Sequence, residues 1–89
     1  MPTYIVLGQF TEQGIRNVKD TSKRADAAKE LAKKFGATAR EFFWTIGSRD
    51  CVLIIEAPND EAATAFALSS GKLGNVRTET LRAFTRSEI

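Results

Sequence analysis

The chain contains no histidine and a single cysteine, Cys51. The first absence removes the commonest general base and the commonest metal ligand. The second leaves no internal disulfide and no thiolate framework for a metal. No cofactor and no metal is therefore expected. No apolar run approaches the roughly 20 residues a membrane span needs. The opening stretch, MPTYIVLG, lacks the basic start and small-residue cleavage site of a signal peptide and reads as a strand that begins almost at once. A cytoplasmic protein without membrane contact is expected. A surplus of one charge is also missing: the net charge is +2, with acids and bases interspersed. Such a chain lacks the concentrated basic patch that nucleic-acid binding needs, so no nucleic-acid partner is expected. Lys29, Lys33 and Lys34 cluster at helical spacing, but Glu30 stands among them, and together they read as a solvated helix face.

What remains is an ordinary globular composition, 43% hydrophobic and 27% charged, in 89 residues. That length makes one domain, residues 1–89, because two would each be too small for a core. Thr3–Phe10 is β-branched and apolar and reads as a strand near the sheet centre. A long connection, Thr11–Thr21, follows; Gly14 interrupts any long helix there, and Ile15 and Val18 are spaced to place one short turn on the core. Residues 22–35 form the clearest helix, with Thr21 or Ser22 as its cap and Gly36 at its end. Thr38–Ile46 and Cys51–Ala57 read as strands joined by the four residues Gly47–Asp50, which favours an antiparallel hairpin. Pro58 stops the third strand, Asn59 or Asp60 caps an alanine-rich helix over residues 60–70, and Asn75–Phe84 supplies a fourth strand.

The order β-α-β-β-α-β is the split βαβ, or ferredoxin-like, arrangement: an α+β fold with a four-stranded antiparallel sheet and two helices on one face. Right-handed crossovers place strands one and three in the centre. The edge candidates carry the charges Arg40, Glu41, Arg77, Glu79 and Arg82, as edges should. Strand three is apolar on both faces, with Cys51, Leu53 and Ile55 on one and Val52 and Ile54 on the other. Helices cover one face only, so something must cover the second. Another copy of the same sheet is the simplest cover, and a homo-oligomer, at least a dimer, is expected.

Three segments, GIRNVKDTSKRADAAKELAKKFGA, FFWTIGSRDCVLIIEAPNDEAATAFAL and GNVRTETLRAF, resemble the GYD-domain family in order and spacing from Tyr4 to Phe84. These are small bacterial proteins named for a Gly-Tyr-Asp signature. The resemblance implies a domain like those of the dimeric α/β-barrel proteins, in which two sheets pack face to face. That broader group includes monooxygenases, isomerases, haem enzymes and effector-sensing domains, so the fold selects no activity. At the signature this chain reads Gly47-Ser48-Arg49-Asp50, with arginine where the family has tyrosine.

For the hairpin, the structural reading is that Gly47 supplies a positive φ and Asp50 accepts from turn amides or pairs with Arg49. It outweighs the catalytic reading, in which Asp50 sits at the mouth of a cavity and partial burial makes it a base. Trp44, Gly47, Arg49 and Asp50 are the candidate ligand-pocket residues. Trp44 with Phe42 or Phe43 would line a pocket for a planar ligand, although both faces of that strand are apolar, which favours an interface. Arg16, Lys19 and Arg24 form a candidate anion site beside a helix start, weighed against a solvated loop. An ion pair of Arg82 with Glu56 or Glu79 is expected at a sheet edge. Two functions follow: a homo-oligomer that binds a small molecule or serves as an accessory or regulatory subunit, and, as the alternative, a cofactor-free oxygenase- or isomerase-like enzyme with Asp50 as base.

Overall fold

A computed structural model describes residues 1–89. Four strands, β1 (Thr3–Phe10), β2 (Thr38–Trp44), β3 (Cys51–Glu56) and β4 (Val76–Ala83), form one sheet in the order β2-β3-β1-β4, every pair antiparallel. The main helices are α2 (Thr21–Lys34) and α3 (Asp60–Gly71); a short helix, α1 (Glu12–Arg16), and a 3₁₀ turn (Val18–Asp20) lie between β1 and α2. This is the α+β, split-βαβ arrangement expected from the sequence. The two most apolar strands are central because only there are both long edges of a strand paired. No helix is long and apolar enough to cross a membrane.

Period-two alternation sorts the side chains. Tyr4 and Val6 of β1 and Cys51, Leu53 and Ile55 of β3 are buried under the helices, while Ile5, Leu7, Val52 and Ile54 between them are half-buried on the outer face. The core joins these inward residues to Ala32 of α2 and to Ala63 and Phe66 of α3. Small alanines let the helices lie close to the sheet, and Phe66 and Ile55 fill the space between.

Both helix ends of the core are chemically defined. Asn59 Oδ1 accepts from the Ala62 amide at 2.8 Å and caps α3. At the end of α2 the Gly36 and Ala37 amides donate to the Lys33 and Ala32 carbonyls at 3.0 and 2.9 Å, and Gly36 takes φ +74°. The start of α2 differs from expectation. Neither Thr21 nor Ser22 caps it: Asp20 occupies the cap position without a side-chain bond. The chain enters α2 from a 3₁₀ turn with Thr21 already helical, so no extended residue stands there to cap it.

Ile15 and Val18 also depart from expectation. They do not reach the core but are 53% and 41% exposed. The inward residue of α1 is Gly14, which is buried, so its neighbours turn out to solvent.

Tyr4 is the buried polar group of the core side of β1. Its hydroxyl donates to Asp60 Oδ1 at 2.5 Å. Burial, then the hydrogen bond and charge of Asp60, push its pKa above the ordinary 10.0, against the opposing charge of Arg82. The folded state therefore holds the phenol proton more tightly than the unfolded chain does. Its contribution is complete below about pH 10 and is lost as pH rises through the raised value. Unfolding free energy measured by urea titration is expected to fall more steeply above about pH 10 in the wild type than in Tyr4→Phe. At neutral pH that variant is expected to lose about 1–2 kcal/mol.

Candidate functional site

The antiparallel register brings every candidate residue to one end of the sheet. β1 ends at Phe10, where the β2–β3 hairpin, the α1 connection and the start of α2 converge. Gly47 has φ +128°, a conformation other residues rarely adopt, and nothing lies within 4 Å of where its side chain would be. The hairpin is tied to the body from both sides of Asp50. Its amide donates to the Gly8 carbonyl at 2.8 Å, and its Oδ2 accepts from the Phe10 amide at 2.8 Å. The carboxylate thus satisfies the amide at the end of β1, beyond the reach of the regular ladder.

Arg49 does not pair with Asp50. Its Nη2 lies 2.6 Å from Glu79 Oε1 on β4, across the outer face of the sheet. The expected pairs of Arg82 with Glu56 or Glu79 do not form either. Glu56 bonds Arg40 at 2.6 Å, and Arg82 meets Glu88 at 3.3 Å. A register shift between Ala39 and Glu41 turns Arg40 towards Glu56 on the neighbouring strand. Arg82 points inward instead, on the same side as Tyr4, its register partner.

Asp50 is accordingly a fastening group. Removing the acceptor in Asp50→Ala is expected to cost about 1–3 kcal/mol by leaving the Phe10 amide unsatisfied. Asp50→Asn keeps an acceptor oxygen and is expected to stay within about 1 kcal/mol of wild type. Paired thermal melts check both.

Trp44 packs on Phe42 with ring centroids 4.8 Å apart, and its indole N–H donates to Thr21 Oγ1 at 2.9 Å. Thr21 therefore joins β2 to the start of α2 rather than capping the helix. Arg16 and Lys19 are exposed and pair with no carboxylate. Arg24 is separated from them: it folds inward, donating to the Asn17 and Gly14 carbonyls at 2.7 and 3.3 Å, with its guanidinium 5.8 Å from the Phe10 ring centre. No group of His, Cys, Asp and Glu side chains comes together that could hold a metal.

Between the sheet and the two main helices, at this same end, lies a cavity of about 920 Å³. Arg24 lines it, as do Phe10, Phe42 and Cys51; Trp44, Gly47, Arg49 and Asp50 do not. Burial pushes the Cys51 thiol above its ordinary pKa, reinforced by the charge of Asp50 and opposed by that of Arg24, so it stays protonated. The sequence signal for this cavity was the small inward residues, such as Gly8 and Ala25, which are visible only once strands and helices are aligned.

The fold is α+β, with an apolar outer sheet face and a cavity between sheet and helices. Residues 4–89 match the GYD domain, and the chain belongs to that family. It is similar to the glutamine synthetase and cystathionine beta-lyase binding protein of Thermus thermophilus, 29% identical over 90 residues, an alignment covering 100% of this chain and 95% of the relative. No solved structure matches the chain.

Proposed function

We propose that this protein is a non-catalytic accessory subunit of the cytoplasm, a homodimer closed through the outer faces of its two sheets, which docks on an enzyme and adjusts its activity. The observation that carries this reading is the outer sheet face. Ile5, Leu7, Val52 and Ile54 form its half-buried centre, and Phe43 and Leu81 beside them are 49% and 42% exposed. A contiguous apolar patch of this kind marks a protein contact. A second copy offers the same surface with the same twist, so a two-fold contact is self-complementary. The Arg40–Glu56 and Arg49–Glu79 pairs supply the polar rim that such an interface carries.

Docking on an enzyme follows from likeness to the Thermus relative, whose name describes a binding protein and whose length this chain matches almost end to end. With the sheet faces closed on each other, the helices and the exposed Leu68 and Leu73 face outward, available to a partner. The candidate partners are the glutamine synthetase and the cystathionine β-lyase of the same organism. Each, purified, is mixed with this protein and its mass followed by size-exclusion chromatography with light scattering. A stable complex with at least one of them is expected; the absence of a complex with either overturns the docking reading.

The alternative, a cofactor-free enzyme with Asp50 as base, draws no support from the geometry. The Asp50 carboxylate holds the Phe10 amide and the Trp44 indole holds Thr21, and neither residue lines the cavity.

A further inference from the structure

The helix–sheet interior is filled at one end and hollow at the other. Along β1 the inward residues run Tyr4, Val6, then Gly8; along β3, going the same way, they run Ile55, Leu53, then Cys51. The helices follow suit: Ala25 of α2, and Ser69 and Ser70 of α3, stand where bulk would be needed to close the space. The resulting cavity, about 920 Å³ and partly open to solvent, is of the size that takes small organic ligands. It lies on the face of the sheet opposite the proposed dimer contact and is independent of the accessory role.

Its polar anchor is Arg24. Lys34, Lys72 and the carboxylate Glu30 also border the cavity but are exposed, at its rim, whereas Arg24 is half-buried within it. Two of its five N–H groups are taken by the Asn17 and Gly14 carbonyls, which fix the guanidinium in place. No carboxylate pairs with it. A fixed cation with spare donors, walled by Phe10, Leu31, Phe42 and Leu53, matches one kind of guest: an anionic head on an apolar body. A carboxylate is the simplest such head, because Arg24 is the one cation set within the cavity and its planar fork matches a carboxylate.

We propose that this cavity binds a small monocarboxylate with an aromatic or branched apolar body, its carboxylate on Arg24 and its body against Phe42 and Leu31. Phenylbutyrate and its neutral amide are the probes. Trp44, the only tryptophan, reports on the cavity through its bond to Thr21 on the cavity wall. Fluorescence titration, checked by calorimetry, is expected to show saturable binding of the acid, at least about tenfold tighter than the amide. Arg24→Gln is expected to weaken the acid by about the same factor and to leave the amide unchanged. Since that change also frees two carbonyls, Ser70→Phe serves as the second variant: it puts a bulky ring on the α3 wall of the cavity, on a different helix from Arg24, and is expected to weaken both probes by the same factor. The proposal is overturned if the wild type shows no saturable binding, if acid and amide bind equally, or if Ser70→Phe binds as the wild type does.

Discussion

Replacing Gly14 with alanine is expected to destabilise the protein by about 2–3 kcal/mol, a fall in Tm of roughly 10–20 °C. A Cβ at this position would lie 2.0 Å from the Asn75 carbonyl oxygen and 2.9 Å from its carbon. Both are backbone atoms, which cannot swing aside as a side-chain tip would. Relief requires moving α1 away from the α3–β4 connection, and several bonds oppose that. The Thr11 amide donates to Asn75 O at 3.1 Å, the Thr11 hydroxyl to Gly74 O at 2.5 Å, and Gln13 Nε2 to Leu73 O and Asn75 Oδ1 at 3.2 and 3.0 Å. The damage would extend to the cavity, because the Gly14 carbonyl is one of the two that hold Arg24. Gly71→Ala is the matched control. Nothing lies within 4 Å of the added Cβ in that case. The change is expected to be neutral or to stabilise by up to about 1 kcal/mol, through the reduced freedom of the unfolded chain. Thermal melts of the two variants side by side separate steric exclusion from a general intolerance of alanine.

Phe43→Glu is expected to convert the proposed dimer to monomer while leaving the fold intact. In the protomer Phe43 is 49% exposed on the edge strand β2, so a glutamate there meets solvent and costs little. In a two-fold interface the same change occurs twice. Two phenylalanine contacts worth about 2 kcal/mol each are lost, and two carboxylates are brought into an apolar contact. The dissociation constant should rise by at least about a thousand-fold. Sedimentation velocity reads the change in mass, and far-ultraviolet circular dichroism confirms that the sheet survives. A variant that keeps the wild-type mass would place the contact elsewhere on the surface.

Much of this fold was legible in the sequence because its strongest signals are local. Strand three is apolar at every position from Cys51 to Ile55, which points to a central strand, and the sheet order agrees. Asn59, placed just after Pro58 and before an alanine run, announced the cap of α3. What escaped sequence reading depends on relations between distant segments. Gly14 looks like a helix interrupter along the chain, yet it is glycine because Asn75 presses on it from 61 residues away. Ile15 and Val18 have the spacing of a core-facing turn, but the direction that turn faces is set by Gly14, not by their own hydrophobicity. The ion pairs differ from those expected because charge identity does not fix register. One shift between Ala39 and Glu41 gives Glu56 to Arg40.

The candidate site shows the same division. The hairpin glycine was legible, since only a glycine suits the conformation Gly47 adopts. The role of Asp50 was half legible: it accepts a backbone amide, as a turn aspartate should, but the amide belongs to Phe10 on another strand. Arg24 lies near Arg16 and Lys19 in the chain, which suggests one anion site. The fold turns Arg24 into the cavity and leaves the other two in solvent.

The molar mass of the wild-type protein in solution, measured by sedimentation equilibrium at micromolar concentration, tests most directly whether the apolar sheet face is an interface between copies. A mass of twice the 9.8 kDa chain, or an even multiple of it, is the expected result. A single 9.8 kDa species, stable with Ile5, Leu7, Phe43, Val52 and Ile54 turned to water, would contradict it.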